Sequence, residues 1–158
     1  MPMPPRAMPG RFRPAALFQP ASVAVIGGQT EAGLQVLANL NAAGFKGPIL
    51  TADTPAAIAA LSTPPDLAVI CAPAESMPAS FAALAGLGTR AAVVISMAAG
   101  LRDLARETGL RAFGPGSFGI AVPAIGLNAT RAHLQPRPGR LALVSQSAAL
   151  CRAVLDWA

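Results

Sequence analysis

The residues best placed to do chemistry in this sequence are glycines beside short apolar runs, not clustered nucleophiles or bases. Val23-Ala24-Val25-Ile26 runs directly into Gly27-Gly28-Gln29, and Gly33 stands where a helix should open. Glycine lets backbone N–H groups approach a phosphate closely, and a helix N-terminus adds partial positive charge. The spacing is G-G-x4-G, which is neither the G-x-G-x-x-G dinucleotide fingerprint nor an NTPase P-loop. A glycine turn after a first strand also occurs without any ligand, so a phosphate cradle and a plain turn both stand. Asp53 follows the next apolar run, 20 residues after Gly33. It has three readings: an acid for ribose hydroxyls, a turn residue, or the cap of a helix opening at Pro55. Ser145-Gln146-Ser147 before the last helix reads as a cap, with an anion contact as the alternative.

No catalytic constellation emerges from the other polar residues. Asp103 and Glu107, with Arg102 and Arg106, read as a solvated helix face. Cys71 and Cys151 lie in apolar surroundings with no C-x-x-C or Cys/His metal spacing, as expected of small buried hydrophobes in a reducing cytoplasm. His133 is the only histidine, which excludes a His-rich metal site and reads as a loop residue.

Composition narrows the class. At 158 residues the chain suits one domain, and 53% hydrophobic against 12% charged residues excludes intrinsic disorder. The longest uncharged apolar run, Ala91 to Leu101, is too short to span a membrane, for which about 18 residues are needed. A net charge of +5 invites a nucleic-acid partner. Yet Arg6, Arg11 and Arg13 precede every acid, and no basic stripe interleaved with aromatics exists. Nucleic acid is therefore not expected. Low surface charge leaves apolar surface for a protein partner, whether a further domain, a subunit or a second copy.

Residues 1–16 read as a proline-rich basic arm without regular structure. From residue 17 to 145 strand-like and helix-like stretches alternate. Strands are expected at Val23–Ile26, Pro48–Thr51, Asp66–Cys71, Ala91–Ile95, Leu110–Phe113 and Leu141–Ser145. Helices are expected from Leu34 to Ala43, Pro55 to Leu61, Ser76 to Leu87, Leu101 to Thr108, and from residue 146 to the end. This order predicts a Rossmann-like, doubly wound α/β domain, with a mostly parallel sheet covered by helices on both faces. Ligands of such folds bind outside the carboxyl ends of the strands. That selects Gly27–Gly33, Thr51–Thr54, Ala72–Glu75, Ser96–Gly100 and Gly114–Gly119.

Five stretches in order carry a family likeness: LFQPASVAVIGG, NLNAAGFKGPI, PPDLAVICAPAE, RETGLRAFGP and GRLALVSQSAAL. Together they resemble the CoA-binding domain of the ADP-forming acyl-CoA synthetases, relatives of the succinyl-CoA synthetase alpha subunit. That domain is also found fused to protein acetyltransferases. The resemblance covers Leu17 to Trp157 and implies a CoA or acyl-CoA ligand. On its pattern Gly27, Gly28, Gln29 and Gly33 hold CoA phosphates, and Thr51 to Thr54, Asp53 among them, lie near the adenosine. Pro73 and Ala74 line the next strand end, and the Gly114-Pro115 turn approaches the thiol-bearing arm. It also implies further domains or subunits as partners, carrying a phosphohistidine and a nucleotide-grasp unit. A chain ending inside a helix at Asp156-Trp157-Ala158 fits the first part of such a longer protein.

This sequence departs from the family pattern at four places. Leu50-Thr51-Ala52-Asp53 replaces a V-N-P segment, and Met97-Ala98-Ala99-Gly100-Leu101 replaces G-F-x-E. Gly114-Pro115-Gly116-Ser117-Phe118-Gly119 stands for G-P-N-C-x-G, and Ser145-Gln146-Ser147-Ala148 for S-x-S-G. Three functions remain open on these grounds. They are a CoA-binding module without catalysis of its own, an NAD(P)-binding oxidoreductase domain, and a degenerate scaffold or subunit contact.

Overall fold

The computed structural model describes residues 13–157. Five short strands form one parallel sheet: β1 (Val23–Ile26), β2 (Ile49–Ala52), β3 (Leu67–Ile70), β4 (Ala91–Val94) and β5 (Arg111–Phe113). Their order is β2-β1-β3-β4-β5. The chain winds outward from β1 in both directions, so the topological switch point lies between β1 and β3.

Side chains alternate across the sheet and feed two separate cores. Val23, Val25, Leu67, Val69, Ala91 and Val93 face one side, where they meet Val36 and Leu40 of α2 (Glu31–Ala43) and Leu17 of α1 (Pro14–Phe18). Ala24, Ile26, Ala68, Ile70, Ala92 and Val94 face the other. There they pack on Ile58 of α3 (Pro55–Ala59), on Phe81 and Leu84 of α4 (Met77–Leu87), and on Leu101 of α5 (Leu101–Thr108). Burial on both faces explains why the strands are apolar throughout. The Rossmann-like, doubly wound architecture expected from the sequence is what forms.

Two elements differ from expectation. Leu141–Ser145 is not a strand: it pairs with no strand among the described residues, and Leu141 and Val144 are 98% and 97% exposed. An apolar run needs a neighbouring edge to become a strand, and the described residues offer none there. In its place an antiparallel hairpin forms earlier, β6 (Gly119–Val122) with β7 (Leu127–Thr130). Leu127 and Ala129 of β7 close the α2 side of the core. The arm expected over residues 1–16 falls mostly outside the described residues. Its end, Pro14 to Ala16, is helical, and Ala16 and Leu17 are buried. The last helix is α6 (Ala148–Trp157), with no buried residue.

A polar network joins α2 to the segment after β7. The buried Asn39 donates through Nδ2 to the carbonyls of Thr130 and Ala132, each at 2.9 Å. Its oxygen accepts from Gln135, which in turn accepts from Asn128. Every polar atom of Asn39 thus has a partner, as burial requires. None of the described helices is long and apolar enough to cross a membrane.

Cys71 sits just past β3, 5% exposed. Burial pushes its thiol up to about 12, and the nearby Arg131 charge opposes that rise. The raised value means the folded state holds this proton more tightly than the unfolded chain. Its stability contribution is therefore complete below about pH 9 and is lost as pH rises toward about 12.

Backbone crowding makes two glycines indispensable at the switch point. Gly27 has φ +80°, and a Cβ there would lie 2.6 Å from the Ala72 nitrogen. A Cβ on Gly33 would lie 2.2 Å from the Gly27 carbonyl oxygen. A Cβ on Gly28 would make only ordinary contact, 3.5 Å from Leu37 and Thr51 side-chain carbons. Gly27→Ala and Gly33→Ala should each cost about 2 kcal/mol or more in denaturant unfolding, while Gly28→Ala stays within about 1 kcal/mol. Equal losses at all three positions would contradict the packing described. In alkaline unfolding, stability should fall between about pH 9 and 12, and Cys71→Ala should flatten that fall. The sequence has no tyrosine to mask the effect.

Candidate functional site

Parallel pairing in register puts all five strand ends on one edge. Ile26 is level with Ala52 and Ile70, Ile70 with Val94, and Phe113 with Val93. The loops selected from the sequence therefore emerge side by side. The candidate residues fall into two groups along this edge.

The first group surrounds the switch point. Gly27, Gly28 and Gln29 form the turn after β1, and Gly33 lies in the first turn of α2. Thr30 caps that helix: its hydroxyl accepts from the Gly33 amide at 3.0 Å and donates to the Gly27 carbonyl at 2.8 Å. Among the described residues, the Glu31 and Ala32 amides meet no acceptor, as first-turn amides do not. Thr51, exposed in β2, lies beside Gly28. Asp53, just past β2, reaches across with its carboxylate and accepts from the Gln29 amide at 3.3 Å. The cap of α3 is Thr54, whose hydroxyl accepts from the Ala57 amide, so Asp53 is not the helix cap. Pro73 and Ala74 follow β3 and open an exposed 3-10 turn that contains Glu75. Ser96 ties this turn to β4 by donating to the Ala72 carbonyl at 2.7 Å.

The second group lies beyond β4. Gly114 and Pro115 leave β5, and the amides of Gly116 and Ser117 donate to the carbonyls of Ser96 and Val94. Among the described residues, no hydrogen bond joins this turn to the glycine turn. Three strand spacings separate β1 from β5, roughly 14 Å. Only an extended ligand could touch both groups.

Sequence reading selected the Gly116–Phe118 turn at the far end but missed Arg131 and Arg152 beside it. A cleft of about 520 Å³ opens between the Gly116–Phe118 turn and α6, and Arg131 and Arg152 both line it. The Arg131 carbonyl accepts from Gln35 at 3.3 Å and from the Arg152 guanidinium at 3.4 Å. His133 pairs with Asp156 at 2.8 Å across half-exposed surface, which fastens α6 to the loop after β7. Ser147 caps α6 by accepting from the Leu150 amide at 3.2 Å, as its position before the helix suggested. Long-range pairing of this kind leaves no local signal. The Thr30 cap did leave one, a threonine directly before Glu31. Among the described residues, no group of three or more His, Cys, Asp or Glu gathers as a metal site.

No protein-family profile matches the chain. Individual relatives do. It is 30% identical over 171 aligned positions to the ADP-forming acetate–CoA ligase I subunit alpha of Pyrococcus furiosus, covering 90% of this chain and 37% of that one. It is 31% identical to the ADP-forming acetate–CoA ligase I of Archaeoglobus fulgidus, covering 89% of this chain and 24% of that protein. Among solved structures it superposes on the dinucleotide-forming acetyl-coenzyme A synthetase 1 of Ca. Korarchaeum cryptofilum, solved with phosphate and ADP. The TM-score is 0.80 at 27% identity, over 90% of this chain and 36% of that one. A Pyrococcus horikoshii protein, at 22% identity over 91% of this chain and 38% of that one, shares the fold with a TM-score of 0.79. The chain thus spans little more than a third of the length of the first of these ligases. By sequence and by fold together, nine-tenths of this chain is similar to a Rossmann-like portion of ADP-forming acetate–CoA ligases.

Proposed function

We propose that this chain binds CoA or an acyl-CoA along the carboxyl edge of its sheet and contributes no catalytic group of its own. One observation carries the reading. A relative of acetate–CoA ligases over nine-tenths of its length presents a glycine turn and, at the start of α2, the unpaired Glu31 and Ala32 amides at the β1/β3 switch point. The CoA diphosphate would meet the amides of Gly28, Glu31 and Ala32. The adenosine would lie toward Thr51 and Asp53. From there the pantetheine arm would pass Pro73 and Ala74 and bring the thiol to Gly114 and Pro115. The strand order β2-β1-β3-β4-β5 then follows the order of parts along the ligand.

The proposed partners are the CoA thioester and further domains or subunits of a ligase. Leu141, Val144 and Trp157, each at least 90% exposed, supply apolar surface for such a contact. Two free cysteines fit a reducing cytoplasm.

Asp53 favours a second reading, an NAD site. An acid at the end of β2, bonded to the glycine turn, is where a ribose hydroxyl would be held. The two readings predict opposite effects of neutralising it. Against a CoA diphosphate the carboxylate is a like charge that also occupies the Gln29 amide. Asp53→Asn should therefore tighten CoA binding by about threefold. In an NAD site the same change should weaken binding.

Thermal-shift titration of the full chain with CoA, acetyl-CoA, NAD and NADP tests the proposal. CoA and acetyl-CoA should stabilise it, approaching about 2.7 kcal/mol at a hundred times Kd. A response to NAD alone, weakened by Asp53→Asn, would replace the CoA reading. Silence toward all four ligands would leave a scaffold domain.

A further inference from the structure

Charge is unevenly placed along the chain. From Pro14 to Thr89 the only lysine or arginine is Lys46, while Glu31, Asp53, Asp66 and Glu75 fall in the same stretch. Strand direction sorts these groups between the two edges of the sheet. Lys46 precedes β2 and Asp66 precedes β3, so both sit at the amino edge, where the Asp66 carboxylate accepts from the Ala21 amide. Glu31, Asp53 and Glu75 follow β1, β2 and β3, so all three sit at the carboxyl edge, and all three are exposed. The loops around the switch point thus carry acids and no base. Arg131, whose charge is felt at Cys71, lines the cleft beside the Gly116–Phe118 turn. It lies toward β3 and β5, whereas Asp53 stands at the end of β2, the opposite edge strand.

Asp53 is held in place at that end. Its Oδ1 accepts from the Gln29 amide, which ties the carboxylate to the glycine turn. An ionised carboxylate only accepts hydrogen bonds. It can take one from a ribose hydroxyl, which donates, but it repels a phosphate dianion, which does not. The amides of Glu31 and Ala32 can serve one diphosphate. A further phosphate on the ribose would meet the acids of this end, with no cation on the same loops to offset them.

We propose that the adenosine end of the edge is selective for a ribose with free hydroxyls. Asp53 sets that selectivity by accepting from a ribose hydroxyl and repelling a ribose phosphate. The inference rests on the CoA reading and narrows its ligand class to a pantetheine carrier with an adenosine diphosphate end and no 3′-phosphate. CoA itself would be held by its diphosphate and pantetheine arm, with the 3′-phosphate turned to solvent. Repulsion at an exposed site is screened, so the preference amounts to a factor of several and not to orders of magnitude.

Calorimetric titration of the full chain with CoA and with dephospho-CoA, the same molecule without its 3′-phosphate, decides the matter. Dephospho-CoA should bind about fivefold more tightly than CoA. Asp53→Asn keeps the shape of the side chain and removes its charge, so the gap should fall below about twofold through tighter CoA binding. Asp53→Lys should reverse the order. Asp53 is exposed and lies outside helix and strand, so neither change strains the fold, and a ratio of two affinities on one protein is blind to partial unfolding. CoA bound as tightly as dephospho-CoA, or more tightly, would overturn the selectivity and leave the CoA reading standing. A fivefold preference that survives both substitutions would overturn the role given to Asp53. Failure of both molecules to bind would overturn the selectivity together with the CoA reading.

Discussion

The contact on which everything else depends is backbone against backbone at the β1/β3 switch point. Gly27 lies against Ala72, and Gly33 lies against Gly27, with no room for a side chain at either position. This approach lets α2 begin immediately beyond β1 and aims its N-terminus along the carboxyl edge. Thr30 locks the arrangement by bonding both glycines at once. The glycines are thus required by the fold before any ligand is considered. A phosphate cradle, if used, exploits a turn that packing already demands.

Much of this was legible in the sequence because it is local. Strands β1, β3 and β4 are uninterrupted apolar runs, and Gly44, Gly88 and Gly109 stop helices where helical spacing ends. The hairpin β6–β7 was not legible. Each strand has four residues, and β7 carries Asn128 and Thr130 inside the fold, where a sequence pattern expects apolar side chains. Their polar atoms are satisfied by each other and by Gln135, a solution visible only once the segment is placed. Leu141–Ser145 shows the opposite limit. Its apolar run reports a wish for burial, but a strand also needs an edge to pair with.

The site divides in the same way. Loops after parallel strands must share an edge, so the glycine turn, Asp53, Pro73, Ala74 and Gly114-Pro115 could be named from strand order alone. Their partners could not. The bond from Gln29 to Asp53 gives that acid a role other than capping α3. Asn39 meets Thr130 and Ala132 across more than 90 residues of chain, and Arg152 meets Arg131 across 21. Those links fix the far end of the edge, beside Arg131 and Arg152.

CoA bound as proposed would lie as one extended ligand across the carboxyl edge from β2 to β5. Mapping backbone amide chemical shifts during a CoA titration tests it most directly. Shifts should change at Gly28, Gln29, Glu31 and Ala32, at Thr51 to Asp53, at Ala74, and at Gly114, Gly116 and Ser117. The amino edge of the sheet, around Ala21 and Asp66, should stay unchanged. Changes confined to the amino edge or to the outer faces of α3 to α5, or none at saturating CoA, would contradict it.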